Sequence, residues 1–519
     1  MADAADGTRG RRRSRRRRRR SSGEPGTSSL APRERPERDF QTLYFGRASA
    51  ENEVHEDEDR FLRTYLDRYS LPARVASHEI FLLLGPKGSG KSASAWFVAL
   101  TWKQELAPQV LYHKYVDFDE LNRTETPLSS LDKKLVSADV AFLTDSAWRL
   151  FLGVRLLESL AQDSESTVAN DPSALRLLDQ LREAGLASDD YPNVLRRVRE
   201  RKIFAGISST LGETRVEVDT GVLSAGQIGD AIVRLVMNDK TPNRHLLSID
   251  GLDKAITQND AYWQTLAALI RVADQINRRL ARTTHAYVMV MCRSDVFRRV
   301  AFADGPKIAA DSSETIEWGA EAARPREVEL WNYLARKSGL SEGELFRYLP
   351  RSVKVGEQGA VSTDRYILDF TRYTPRDMSV LFRQLQKTSA SAPIQGAEVR
   401  KAADQFASTH LLQEILAEAN GLLPPLVIDR IPNVLTGLRR TFNKQQFDAA
   451  IRSAGIEEFT DSQRLGEYLF LQGALGNYRP DVQYVQFYHR RDAYTFSARG
   501  PWILHTGLAY ALNLPWSGR

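Results

Sequence analysis

The chain has one cysteine, Cys292, among 519 residues. An internal disulfide framework and a four-cysteine zinc site are therefore excluded. It also lacks any apolar run near the roughly 20 residues that a membrane helix needs. Lysine is missing from residues 1–39, where thirteen arginines stand against six acids. That stretch has almost no large apolar side chains and is rich in Ser, Gly and Pro. It cannot bury enough surface to offset its own ordering, so residues 1–39 are expected to be a disordered tail. No apolar segment follows the Arg run, which argues against a secretory or twin-arginine signal. These absences together point to a soluble, cytoplasmic protein with no membrane partner.

The tail carries a net +7 and the whole chain +6, which leaves −1 for the remainder. The body is near neutral, so its charge is no reason to expect nucleic-acid binding. The run Arg11–Arg20, broken by Ser14, could grip DNA phosphates through counterion release. A solvated tail is the plainer reading. Hydrophobic residues make up 42% of the chain, enough for real cores. A chain of this length suggests about three domains.

Patterning along the chain supports an α/β architecture. Residues 51–69 read as an acidic helix with Phe61, Leu62, Tyr65, Leu66 and Tyr69 on one face, ended by Leu71-Pro72. Ile80–Leu84 is a short apolar run bounded by glycine, the signature of a buried parallel strand. A helix over Ala93–Leu106 and a strand over Val110–Phe118 follow. Residues 128–205 are mainly helical, Val216–Val218 is a candidate short strand, and Ser224–Met237 is a helix. Leu246–Asp250 and Tyr287–Met291 read as strands around a long helix, Tyr262–Leu280. Alternation of this kind implies a parallel sheet. Beyond residue 325 the chain is helical, with a polar loop near 350–364. Lys444–Ser453 and Ser462–Leu475 then read as helices. Two strands follow, Val482–Tyr488 and Ala493–Phe496, around the turn HRRD, with a last helix at Ile503–Leu512. Two helices and a hairpin are the order of a winged helix. The expected division is 1–39 tail, 40–325 P-loop domain with a helical insert near 122–215, 326–435 helical lid, and 436–519 winged helix.

Residues 85–92, GPKGSGKS, match G-x-x-x-x-G-K-[ST] at every position and stand between a predicted strand and a predicted helix. Gly85, Gly88 and Gly90 let the backbone of Gly85-Pro86-Lys87-Gly88-Ser89-Gly90 curl so that its successive N–H groups, which Pro86 lacks, face one phosphate. Lys91 supplies a point charge for the outer phosphates of ATP, and Ser92 a hydroxyl for Mg²⁺. Asp250, at a strand end, is the expected carboxylate for the same Mg²⁺. Many P-loop ATPases place a Glu directly after this Asp, where this chain has Gly251. Asp253 is therefore the candidate catalytic base, or else a helix N-cap. Val116-Asp117-Phe118-Asp119 also ends a strand in acids but reads better as the second strand of the fold. Arg293, at the end of the Met289–Cys292 strand, either senses the γ-phosphate or pairs with Asp295. Cys292 reads as packing.

Asp250-Gly251-Leu252-Asp253 is similar to the Walker B segment of STAND-class, NACHT-type (AAA+-related) NTPases. Arg293 resembles their sensor arginine, and Tyr373-Thr374-Pro375-Arg376-Asp377 looks like the G-x-P region of their helical lid, with Tyr373 in place of the glycine. The set GPKGSGKS, SIDGLD, CRSDVF, TPRD, FYHRRDAYTF and ILHTGL resembles a family of bacterial P-loop ATPases of unassigned role, over roughly residues 55–515. The resemblance implies an ATP-gated switch, active in bacterial defence or signalling. It further implies nucleotide-dependent homo-oligomers, an effector or sensor partner, and Arg376 near the phosphates. Lys254 departs from the second acid frequent in NACHT proteins, and no repeat-rich sensor follows the winged helix. Two other readings stand beside this one. One is a DNA-associated ATPase resembling origin-recognition proteins, using the Arg tail and His489, Arg490 and Arg491 of the hairpin turn. The other is a non-catalytic nucleotide-gated scaffold, motivated by Gly251.

Overall fold

Five strands build the central sheet: β1 (Leu82–Gly85), β2 (Leu111–Asp117), β3 (Arg244–Asp250), β4 (Ala286–Arg293) and β5 (Ser313–Thr315). Their order is β2-β3-β4-β1-β5, and every pairing is parallel. β1 and β4 are buried along their whole length, as expected for inner strands covered on both faces. The edge strand β2 is only half-buried. Register pairs Gly85 with Arg293 and Asp117 with Asp250, so four strands end on one edge of the sheet. Open parallel sheets bind ligands outside these carboxyl ends.

The computed structural model describes residues 37–117, 138–187, 194, 197–198, 204–214, 223–252, 260–282, 285–300, 302–319, 324–356, 359–390, 392–490 and 494–514. The Arg run, the expected strand at 216–218, Asp253 and Arg491 lie outside them. Residues from Pro36 onward form one compact unit. The expected tail extends two or three residues too far. Arg38 donates to the Ser338 carbonyl at 3.1 Å, Asp39 caps the turn Phe40–Thr42, and Phe40 is fully buried.

The single acidic helix expected over 51–69 is two short ones, Ala50–Glu56 and Glu58–Thr64. Asp57 breaks the run because its carboxylate turns back to the Arg60 N–H as an N-cap. Leu71-Pro72 opens a new helix, Leu71–Ala76, with Pro72 in its first turn, where a missing N–H costs nothing. Phe61 and Val54 pack on the helix Lys91–Glu105, as the apolar face required.

Between β2 and β3 the described helices are Ala138–Ala161, Pro172–Glu183, Phe204–Gly212 and Ala225–Asn238. The first and last approach so closely that a Cβ on Gly229 would lie 2.9 Å from the Leu150 nitrogen, which demands glycine there. Past β5 come the helices Leu330–Ser338, Glu342–Tyr348, Thr363–Asp369, Pro375–Thr388 and Gly396–Phe406. A widened π-type turn, Ala407–Leu411, leads into Leu412–Glu418. The polar stretch near 350–364 is not all loop, since β6 (Ser352–Lys354) and β7 (Ala360–Ser362) pair across it.

The C-terminal part departs from expectation in detail. Pro425–Thr436, β8 (Thr441–Phe442), Lys444–Ser453 and Ser462–Leu471 precede β9 (Leu475–Arg479), β10 (Tyr484–Gln486) and β11 (Trp502–Leu504). The antiparallel order β10-β9-β11-β8 gives a helix–strand–helix–helix–sheet unit. The hairpin therefore lies between β9 and β10, not around HRRD, and residues 494–496 are not a strand. Gly473 at φ +71 ends the helix before Leu475. The last helix starts at Thr506, because Trp502–Leu504 pairs with both β8 and β9.

Candidate functional site

The loop between β1 and the helix Lys91–Glu105 wraps an open cradle. Gly85, Gly88 and Gly90 have φ of +154°, +82° and +105°, conformations that side chains with a Cβ rarely adopt. A Cβ on Gly88 would sit 3.1 Å from the Arg376 Cβ, whereas one on Gly90 would meet nothing within 4 Å. The cradle is thus closed on the lid side and open at its floor. Lys91 is buried and donates to the Gly85 and Pro86 carbonyls at 3.0 Å each. Trp318, beyond β5, donates from its indole N–H to the Ser89 carbonyl at 2.8 Å and fixes the loop from outside.

Asp250 reaches the cradle from β3. Its Oδ2 accepts from the Ser92 hydroxyl at 2.5 Å and from the Tyr115 hydroxyl at 2.5 Å, and its Oδ1 accepts from the Gly251 N–H at 2.7 Å. Burial pushes the Asp250 carboxyl up, against the pull of these three donors and Lys91. Burial, and then Asp250, push the Tyr115 phenol well above its ordinary range, so it stays a donor. Gly251 explains the missing Glu. It is buried with φ +72°, a conformation that strongly disfavours a Glu after this Asp. Ser92 and Asp250 are a hydroxyl and a carboxylate on one spot, an all-oxygen pair that suits Mg²⁺.

Of the two readings of Arg293, the pairing with Asp295 is present. Arg293 lines the cavity, and it is bidentate to Asp295, with Nε–Oδ1 at 3.0 Å and Nη2–Oδ2 at 2.7 Å. Gln472, at the end of the helix Ser462–Leu471, accepts from Arg293 at 3.2 Å and donates to Asp295 at 3.0 Å. Burial would raise Asp295, but the Arg293 guanidinium outweighs it and holds the carboxyl below its usual range. Arg376 sits at the loop. Its N–H meets the Gly88 carbonyl at 3.4 Å, and its side chain reaches the Ala48 carbonyl at 3.0 Å and Glu414 at 3.5 Å.

Several groups in this region escape sequence reasoning. Glu414 and Glu418, on the helix after the π turn, face the loop. Lys87 lies 3.3 Å from Glu414 and 4.0 Å from Glu418. Arg372 donates to Glu418 at 2.9 Å and lies 3.4 Å from Asp377. Burial works against Glu414, yet Lys87, Arg376 and Arg372 keep it below the usual carboxylate range. No motif marks these acids, and only their i, i+4 spacing on one helix hints at a shared face. Lys87–Ser92, Asp250, Arg293, Arg376 and Glu418 line a cavity of about 510 Å³, within the range of small-molecule sites. Phe61, Tyr65, Tyr69, Ile316, Trp318 and Tyr333 also line it.

Of the turn expected to face DNA, His489 and Arg490 are described, and both are engaged within the protein. Arg490 is tied to Asp369 at 2.7 Å and lies over the Tyr373 ring, while His489 packs between Phe487 and His505. Burial drives the His489 imidazole well below its ordinary pKa. The actual tip, residues 480–483, carries Asp481 and an exposed Val482. Among the described residues, no helix is long and apolar enough to cross a membrane.

No protein-family model matches the chain, and no curated protein does. Similar solved structures include the Aeropyrum pernix ORC1 protein in complex with DNA, at 11% identity and a TM-score of 0.35 over 89% of this chain and 95% of that one. Another is the Aeropyrum pernix ORC2 protein in ADPNP-ADP complexes, at 12% identity and 0.29 over 86% and 92%. Likeness at these scores carries no inference about chemistry.

Proposed function

We propose that this protein binds ATP with Mg²⁺, hydrolyses it, and works as a nucleotide-gated switch. The observation that carries this reading is the meeting of Ser92 and Asp250 at 2.5 Å beside a buried Lys91. Residues 158 positions apart converge where a P-loop needs its cation oxygens. The phosphates would lie in the loop of residues 85–90 and over Lys91. The apolar part of the cavity lining would take the base. Mg²⁺, held by Ser92 and Asp250, would supply charge neutralisation at the outer phosphates. Asp253 remains the proposed group for positioning water. Arg293 and Arg376 face the loop from two elements and would feel the γ-phosphate.

The switch reading rests on the lid acids. Glu414 and Glu418 neutralise Lys87, Arg372 and Arg376, cations that a triphosphate would also attract. ATP and the lid acids therefore compete for one set of positive charges. Release of the lid would expose new surface to a second copy or an effector.

Nucleotide titration and turnover test the reading. Lys91→Ala and Asp250→Ala are each expected to lower turnover by on the order of 10²–10³-fold, the loss typical of one preorganised charge. Turnover that survives both changes would sink the assignment. ATP-dependent oligomers, seen by light scattering, separate a switch from a simple hydrolase. For the DNA-associated reading, the support is the Arg run. Deleting residues 1–39 should then remove both DNA affinity and its salt dependence.

A further inference from the structure

Asp250 accepts three donors, and they differ in what else each must hold. Its Oδ2 accepts two hydroxyls, from Ser92 and Tyr115, both at 2.5 Å. A hydroxyl can bind a cation through a lone pair while its proton still reaches Oδ2, so Ser92 can serve the cation and Asp250 at once. The donors to the carboxylate that are not themselves cation ligands are the Gly251 N–H on Oδ1 and the Tyr115 hydroxyl on Oδ2. Gly251 is the next residue in the chain and fixes one oxygen only. Rotation of the carboxylate about its own axis is stopped by Tyr115.

The Tyr115 ring is well placed for that task. It stands on β2, in register with Ser248 on β3, two residues before Asp250. Its face stacks on Trp96 of the P-loop helix, with centroids 5.2 Å apart and an interplanar angle of 18°. Glu51 offers the hydroxyl a second acceptor at 3.3 Å, but at 2.5 Å Asp250 is the stronger one. Glu51 is itself held by the Ser49 hydroxyl at 2.5 Å, so it is not free to draw Tyr115 away.

Resting on the proposed Mg²⁺–ATP reading, we infer that Tyr115 is a positioning residue for the divalent cation, locking Asp250 in the orientation that receives the metal. Partners that orient a metal-binding group typically matter tenfold to a hundredfold in metal affinity. Tyr115 does not touch the nucleotide's phosphates in this role. Its effect must therefore appear in the metal-dependent part of binding and be missing from the metal-free part.

The test is calorimetric titration of the full chain with a non-hydrolysable ATP analogue, in Mg²⁺ and again in EDTA. Wild type should bind more tightly in Mg²⁺. Tyr115→Phe keeps the ring and its stacking, so it should cut that Mg²⁺ advantage by about tenfold and leave the EDTA affinity within about twofold. In an Asp250→Ala background, Tyr115→Phe should have no further effect on the advantage. An undiminished advantage in Tyr115→Phe, an equal loss in both media, or an additive loss in the double variant would each overturn the inference alone. A wild type that ignores the nucleotide in both media would instead overturn the proposed function, and the inference with it.

Discussion

The cavity has two walls, and they are built in opposite ways. The sheet wall is local. Gly85 to Ser92 is one turn of chain, and Asp250 joins it by strand register alone. The lid wall is assembled from far apart: Arg293 and Glu418 line the cavity, and Arg372, Asp377, Glu414, Asp295 and Gln472 join their network from outside that lining. The sheet wall is poor in charge pairs and rich in backbone geometry. The lid wall is a buried network of guanidinium and carboxylate groups. Backbone geometry binds a ligand without needing to move. A charge network holds its members only while every partner is present, and an added anion redistributes it.

That contrast is broken most severely at Arg372, which is buried and contacts Asp377 and Glu418. Arg372→Ala takes the nearest cation from two buried carboxylates, leaving Glu418 with Arg293 at 3.8 Å and Lys87 at 4.0 Å, a change that costs up to about 3–5 kcal/mol. Chemical denaturation should show it. Double replacement of Arg372 and Glu418 by Met and Leu should recover part of the loss, because it removes one of the two stranded carboxylates. A loss below about 1 kcal/mol for Arg372→Ala would mean that the network is solvated and that the two walls do not differ.

Acid sharpens the contrast from another side. His245, against the sheet, and His505, in the C-terminal part, are both buried, and burial takes each imidazole from the ordinary 6.5 to about 4. His505 donates from Nε2 to the Thr371 carbonyl and accepts the Gly507 N–H on Nδ1. A second proton on Nδ1 would face that N–H. His245 faces Asp163, Ser159 and the Tyr112 ring. Because the unfolded chain takes up these protons first, stability is full above pH 6.5 and falls as pH drops toward 4. The limit is about 3 kcal/mol for each group. Asp377 and Asp295, whose carboxyls are held below the usual range, add a loss at still lower pH. Melting temperature followed from pH 7 to pH 4 should therefore fall steadily. His505→Asn should flatten that fall, since Asn can accept the Gly507 N–H without titrating.

How much could be read in advance follows the same division. Lys91, Ser92 and Asp250 were legible because a phosphate loop needs fixed residue types at fixed spacing, and a buried strand announces its end. Arg293 and Arg376 were legible as positions, but their partners were not. Asp295 was in view, whereas Gln472 and Glu414 come from helices whose packing no local pattern specifies. Tyr115 was hidden inside an unremarkable edge strand. The hairpin was misplaced because β9 follows directly on a helix ended by Gly473, so its residues continue the helical pattern in sequence. β11 was hidden in the same way before the last helix. In both cases tertiary pairing overrode local preference. Gly251, read as a doubt about catalysis, is also a backbone requirement at φ +72°.

The smallest effect is the most discriminating. Glu414 and Lys87 lie 3.3 Å apart, and each side chain is about a quarter exposed, at 22% and 27%. Solvent screening makes such a pair worth less than about 1 kcal/mol, so Glu414→Gln should barely move stability. Its effect on ligand choice should still be measurable. A γ-phosphate brings negative charge toward Lys87 and Arg376, the cations that Glu414 now neutralises. Removing that competing carboxylate should favour ATP over ADP by up to about fivefold, the equivalent of about 1 kcal/mol. Parallel titrations with the two nucleotides measure the ratio directly. If the ratio rises, the lid wall is a counter-ligand for the terminal phosphate. If it stays fixed while both affinities change together, Glu414 acts on the lower phosphates, and the lid wall does not sense the triphosphate.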